Sequence, residues 1–97
     1  MHYELIILGG GESGVGSAIL AKAKGIRVFL SDSGMLKGEH RKTLVDYGID
    51  FEEGKHTEEK ILNADEVMKS PGIPEKAVIV TKIRAKGIDV ISEVELA

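Results

Sequence analysis

An apolar run that breaks into glycine sets the terms for this chain. Leu5-Ile6-Ile7-Leu8 leads into Gly9-Gly10-Gly11-Glu12-Ser13-Gly14-Val15-Gly16, and Gly9, Gly11 and Gly14 fit the spacing G-x-G-x-x-G. The stretch from Tyr3 to Leu8 has the character of a strand buried on both faces. Ser13 to Lys24 carries Val15, Ala18 and Ile19 at helical spacing. A strand that turns directly into a helix needs residues without a Cβ, and the helix start aims unpaired backbone N–H groups at whatever lies above the turn. Those donors and the positive end of the helix dipole suit a phosphate or diphosphate. The competing reading is a plain turn with no ligand, but three glycines at these spacings exceed what a turn requires.

A second pattern recurs. Ala23-Lys24-Gly25-Ile26-Arg27-Val28 is matched by Ala85-Lys86-Gly87-Ile88-Asp89-Val90, with a looser copy at Tyr47-Gly48-Ile49-Asp50-Phe51. Each places a glycine where a helix must end left-handed, followed by a short strand. Three helix-to-strand returns wind a parallel sheet, so the expected fold is α/β: a Rossmann-like, doubly wound parallel sheet of five strands with helices on both faces. The remaining elements are predicted as strand Val28 to Ser31, helix Lys37 to Tyr47 with Leu44 and Val45 inward, and edge strand Asp50 to Glu52. Thr57 is the expected N-cap of a short helix through Leu62, followed by strand Glu66 to Lys69 and helix Pro74 to Lys86. Ser92-Glu93-Val94-Glu95 satisfies the capping-box pattern close to Ala97. The expected organisation is therefore a domain over 1–91, with 92–97 beginning the connection to a further domain.

Composition removes several function classes. The 97 residues carry a net charge of −3, so no basic stripe is available for nucleic acid. Cysteine is absent, which excludes disulfides and thiolate metal sites. No apolar run is long enough to span a membrane, and Met1-His2-Tyr3 opens no signal peptide, so neither membrane association nor export is expected; a cytoplasmic location is. Taken alone, the glycine motif with Asp32 eighteen residues past Gly14 also fits a nicotinamide-dinucleotide module, the carboxylate holding a ribose diol.

Further motifs redirect that reading. Leu8 to Gly16, Leu30-Ser31-Asp32-Ser33, Lys69-Ser70-Pro71-Gly72-Ile73-Pro74 and Val90-Ile91-Ser92-Glu93-Val94-Glu95 occur in this order. With them the whole chain resembles the N-terminal domain of a Mur ligase. It is most similar to the branch that joins D-glutamate to UDP-N-acetylmuramoyl-L-alanine in peptidoglycan synthesis. The Ser-Pro-Gly-Ile segment is the most specific part, being far rarer than a glycine loop. The resemblance implies three domains: one for the UDP end of the precursor, one for ATP with Mg2+, and one for the incoming amino acid. No G-x-x-x-x-G-K-S/T segment is present, so no ATP or metal cofactor is expected on these residues, and the chain alone is expected to be inactive.

The resemblance also implies a site for the UDP moiety. Gly9, Gly11 and Gly14 would shape the diphosphate loop, with the backbone N–H groups of Glu12 and Ser13 meeting the diphosphate. Asp32 and Ser33 would contact the uracil, and Ser70, Pro71 and Gly72 would lie beside the phosphates and sugar. Uracil offers an N3–H donor between two carbonyl acceptors, which suits a carboxylate and a neighbouring N–H. As a ligand contact over an open crevice, Asp32 is expected to matter little for stability. Gly34 stands where some relatives carry an arginine over the base, leaving Met35 or Leu36 as candidates for that cover. A nucleotide-sensing domain without chemistry is the remaining alternative.

The other polar residues carry less. His56 sits among Glu52, Glu53, Glu58 and Glu59, but the spacing matches no established metal-ligand pattern, and a solvated loop is expected. His2 and His40 are expected at the surface, and Tyr3, Phe29, Tyr47 and Phe51 in the core. No catalytic residue and no metal ligand is assigned.

Overall fold

The computed structural model describes residues 2–92. Its elements alternate: β1 (Leu5–Leu8), α1 (Glu12–Ala23), β2 (Val28–Asp32), α2 (Gly38–Asp46), β3 (Asp50–Glu53), α3 (Glu58–Ile61), β4 (Glu66–Lys69), α4 (Val78–Ala85) and β5 (Asp89–Ile91). All pairings are parallel, in the order β3-β2-β1-β4-β5. The chain winds outward from β1 through β2 to β3, then crosses back to place β4 on the other side of β1. Strand order therefore reverses between β1 and β4, where loops leave the carboxyl ends in opposite directions and open a crevice.

Side-chain alternation along the central strands builds a core on each face. Leu5, Ile7, Val28 and Leu30 pack with Val15, Ala18 and Ala21 of α1 and Leu44 of α2. Ile6, Leu8, Phe29 and Val67 face the other way, against Ile61 of α3 and Ile79, Val80 and Ile83 of α4. The sheet is thus covered on both faces, as its unalternating apolar strands require. The recurring returns also form as expected: Gly25, Gly48 and Gly87 have φ of +81°, +67° and +81°, a region that side chains with a Cβ rarely enter.

Some boundaries and burials differ from the sequence reading. α4 starts at Val78 rather than Pro74, because Pro74 to Ala77 closes a turn of its own through Ala77 N–H to the Pro74 carbonyl at 3.0 Å. Thr57 does occupy the N-cap of α3, but its hydroxyl donates to Glu52 instead of capping. Val45 and Tyr47 are exposed, since the face of α2 that meets α1 and the sheet is narrow enough for Leu44 alone. The capping box falls largely on 93–97, outside the described residues.

Candidate functional site

At the carboxyl end of β1, the chain is held from both sides. Gly9 N–H donates to the Ser31 carbonyl at 2.9 Å, and Ser70 N–H donates to the Leu8 carbonyl at 3.1 Å. The glycine loop is thereby stitched between the ends of β2 and β4. Gly9 has a φ of +104°, and a Cβ there would lie 2.6 Å from Ser70 Oγ, so the loop and the Ser-Pro-Gly turn are in direct contact. The turn closes through Ile73 N–H to the Ser70 carbonyl at 3.1 Å, and Lys69 Nζ donates to the Ile73 carbonyl at 2.8 Å across it.

The loop glycines do different work. A Cβ on Gly14 would sit 1.9 Å from the Gly9 carbonyl oxygen, so this glycine lets α1 pack onto the loop. Gly10, which the motif leaves unspecified, would collide with Leu36 at 2.0 Å. Gly11 meets nothing within 4 Å and has an ordinary φ of −76°. The fold itself thus requires Gly9 and Gly14, while a side chain at Gly10 would have to displace Leu36. Gly11 is open on the side where a ligand would approach.

Gly11 is also the N-cap of α1 and brings no side-chain oxygen to its first turn. The first intrahelical bond runs from Val15 N–H to the Gly11 carbonyl at 2.9 Å. A hollow of about 290 Å³ lies over this end, lined by Gly10, Gly11, Glu12, Asp32, Lys37 and His40 among others. Glu12 is exposed there, and its carboxylate is the one negative side chain of the first turn. His40 is only half-exposed, contrary to the surface expectation, and its Nδ1 is buried without a partner.

Asp32, at the end of β2, is committed to the backbone. Its Oδ2 accepts the Gly10 N–H at 2.7 Å and its Oδ1 the Gly34 N–H at 2.8 Å. The segment after Asp32 is clasped from below by Arg41 and Glu53. Arg41 donates to Glu53 at 2.7 and 2.9 Å and to the Leu36 carbonyl at 3.1 Å, while Leu36 N–H donates to Glu53 at 2.9 Å. The guanidinium bonds, then the Leu36 N–H, hold the Glu53 carboxyl down to about 2. This clasp buries Leu36 against Gly10 and leaves Met35 exposed at 74%. Of Met35 and Leu36, only Met35 is left exposed, and it lines the hollow over the start of α1.

A second hollow, of about 480 Å³, lies between the ends of β2 and β4, lined by Ser33, His56, Gly72, Pro74 and Val78 among others. Ser33 and Gly72, 39 positions apart in sequence, thus face one cavity. All three expected segments, Gly9 to Gly14, Asp32 to Ser33 and Ser70 to Gly72, converge at one end of the sheet. Pro71 and Ser70 shape the turn; neither lines a hollow described here.

Sequence reasoning missed the group beneath this cavity. Ser31 is fully buried in β2, and its Oγ lies 2.8 Å from Glu52 Oε2 and 2.7 Å from His56 Nδ1. Glu52 also accepts the Thr57 N–H at 2.7 Å and the Thr57 hydroxyl at 2.5 Å. Burial pushes the Glu52 carboxyl up, but these donors and Lys60 outweigh it and hold it below its ordinary range. His56 is therefore half-buried in a bonded network, not a solvated loop residue. The available signal was Ser31 itself, a lone hydroxyl at the end of the apolar run Val28-Phe29-Leu30, where a buried polar group demands partners.

Comparison with known proteins agrees with this architecture. The chain is 55% identical over its whole length to the UDP-N-acetylmuramoylalanine–D-glutamate ligase of Christiangramia forsetii and 56% identical to the enzyme of that name from Cytophaga hutchinsonii. In both cases it spans 22% of the relative's length. Among solved structures, a murein peptide ligase from Psychrobacter arcticus superposes with a TM-score of 0.85 at 22% identity, over 97% of this chain and 20% of that one. Residues 5–79 match the family described as the MurD N-terminal domain, and the chain belongs to that family.

Proposed function

We propose that this chain is the UDP-binding N-terminal domain of an ATP-dependent ligase that adds D-glutamate to UDP-N-acetylmuramoyl-L-alanine in peptidoglycan synthesis. The relatives that it matches over about a fifth of their length carry that activity in their names. ATP and Mg2+ would be bound by a central domain outside these residues, as would D-glutamate by a third, and the reaction would take place in the cytoplasm, where ATP is supplied.

The observation that carries the reading is the meeting of Gly9 with Ser70 across the strand-order reversal. It sets the uncapped start of α1 beside the cavity between Ser33 and Gly72. In this reading the diphosphate lies against the first turn of α1, taking backbone N–H groups of Glu12 and Ser13, with Gly11 keeping the approach clear. The Glu12 carboxylate stays outward in solvent. Uracil and ribose occupy the cavity between Ser33 and Gly72, with Asp32 on the neighbouring hollow over the start of α1. The domain has no catalytic group of its own; it anchors the nucleotide so that the distant reacting carboxylate is presented to the other domains.

The dinucleotide alternative requires the Asp32 carboxylate to face a ribose diol. Each of its oxygens accepts one backbone N–H and keeps a further lone pair, so it is the family match and the named relatives that favour the UDP reading. The test is competitive binding to the isolated chain. UDP is expected to bind with a dissociation constant on the order of millimolar, about 4 kcal/mol, and to displace NAD. Tighter binding of NAD than of UDP would overturn the proposal.

A further inference from the structure

The cavity between β2 and β4 has a wall residue whose chemistry is set from beneath. His56 faces this cavity together with Ser33 and Gly72, while its Nδ1 is turned inward to Ser31 Oγ at 2.7 Å. No described residue bonds its Nε2. Ser31 has a single hydroxyl proton and three neighbours, Glu52, His56 and the Lys55 carbonyl at the longer distance of 3.3 Å, so the direction of its bonds decides what the ring presents outward.

Glu52 resolves the direction. Its carboxylate is held in the ionised form by donors on both oxygens, and an ionised carboxylate can only accept. The Ser31 proton therefore goes to Glu52 Oε2, at 2.8 Å, as a charge-assisted bond. With that proton spent, Ser31 Oγ can only accept from the ring, so Nδ1 carries the hydrogen. The chain of bonds runs His56 Nδ1–H to Ser31 Oγ–H to Glu52. In the neutral imidazole this leaves Nε2 bare, a hydrogen-bond acceptor at the wall of the cavity.

We infer that His56 is a ligand-contacting, specificity-determining residue of this site: its Nε2 accepts a hydrogen bond from a nucleoside donor, either the imide N–H of the base or a ribose hydroxyl. Ser31 and Glu52 are positioning residues that fix the ring's tautomer and orientation. The inference rests on the nucleotide reading above and adds to it an acceptor that lies outside the expected segments. Asp32, the acceptor anticipated from sequence, has each oxygen engaged by a backbone N–H. Nε2 has no such prior engagement.

The experiment is a long-range proton–nitrogen correlation spectrum of the labelled 97-residue chain, recorded in mildly alkaline buffer. The free protein is expected to show His56 with Nδ1 protonated and Nε2 bare; an Nε2-protonated ring overturns the inference at once. Ser31→Ala, a small change at a buried position, is expected to release the tautomer toward a mixture. UDP is then added. Movement of the Gly9 to Gly16 amides reports nucleotide binding, and movement of His56 Nε2 reports the contact. Loop shifts with an unmoved Nε2 overturn the inference alone, whereas silence in both removes the nucleotide reading and the inference with it.

Ligand analogues distinguish the donor. N3-methyl-UDP lacks the imide hydrogen, and 2′-deoxy- and 3′-deoxy-UDP each lack a ribose hydroxyl. One of these is expected to bind roughly three- to tenfold more weakly than UDP, the range of one net hydrogen bond. His56→Phe keeps a ring in place but removes the acceptor. It is expected to lose the same factor toward UDP and to lose nothing further toward that analogue. A merely structural role for His56 would weaken every ligand alike in the variant and leave the wild-type chain indifferent among them, and that result would refute the contact.

Discussion

Asp32 fastens the glycine loop: its Oδ2 accepts the Gly10 N–H at 2.7 Å while its Oδ1 accepts the Gly34 N–H at 2.8 Å. The carboxylate is thus a part of the scaffold as well as a proposed neighbour of the ligand. Asp32→Ala is expected to lower the stability of the free chain by about 1–3 kcal/mol, because the part-buried Gly10 N–H loses its acceptor. Asp32→Asn keeps one carbonyl acceptor and is expected to lose less. Urea midpoints of the two variants check this. A midpoint for Asp32→Ala equal to that of the wild type would return Asp32 to a pure ligand contact, as the sequence reading had it.

The glycines separate fold from function. Gly14→Ala pushes a Cβ against the Gly9 carbonyl, which is backbone and cannot step aside, so stability is expected to fall by roughly 1–3 kcal/mol. Gly11→Ala has open space and an ordinary φ, so thermal unfolding is expected to be nearly unchanged. Binding of UDP to Gly11→Ala is nevertheless expected to weaken several-fold, because the new methyl would stand in the proposed path of the diphosphate to the first turn of α1. A variant that loses stability but binds normally would place the diphosphate elsewhere.

Acid should loosen the clasp beneath the loop. Glu53 is held down to about 2 by Arg41 and by the Leu36 N–H, so between that value and the ordinary carboxylate range the unfolded chain binds the proton and the folded chain does not. Its contribution to stability is complete above the unfolded pKa, about 4.3. It declines as pH falls and is lost through pH 2. Glu53→Gln removes this dependence. The stability difference between wild type and Glu53→Gln is expected to be largest near neutral pH and to shrink steadily below about pH 4. A constant difference across that range would mean that the ion pair does not couple to folding.

Chemistry is expected to be missing from the chain by itself. With ATP, D-glutamate and UDP-N-acetylmuramoyl-L-alanine supplied, the isolated protein is expected to release no phosphate and form no amide, since no ATP-binding segment of the G-x-x-x-x-G-K-S/T type is present. A phosphate-release assay reads this directly. Turnover that disappears on mutating this chain would require a catalytic centre among residues to which none is assigned.

Much of the architecture is legible in the residues because local and long-range signals agree. Apolar β1, the glycine loop and the returns at Gly25, Gly48 and Gly87 each specify one backbone course, and together they wind the parallel sheet. The three segments that the resemblance implied for the ligand meet at one end of the sheet because each follows a strand, and the carboxyl ends of parallel strands share one edge. What escaped was partnership across the sequence. Nothing local in Gly10 announces Leu36, and nothing around His56 announces Ser31, 25 positions earlier. Those contacts exist only once β2 and β3 are side by side, with Ser31 opposite Glu52 in register. Pro74 misled for a related reason: it suits a helix start, but a separate turn absorbed it before α4 began.

The central claim is that one UDP molecule spans the glycine loop, the end of β2 and the Ser70 turn. Amide shift mapping of the labelled chain with UDP, and separately with inorganic pyrophosphate, tests it most directly. UDP is expected to move three segments together: Gly9 to Gly16, Asp32 to Gly34 and Ser70 to Ile73. Pyrophosphate is expected to move the glycine loop and leave Ser33 and Gly72 in place. Shifts with UDP confined to one segment, or pyrophosphate moving all three alike, would contradict the claim.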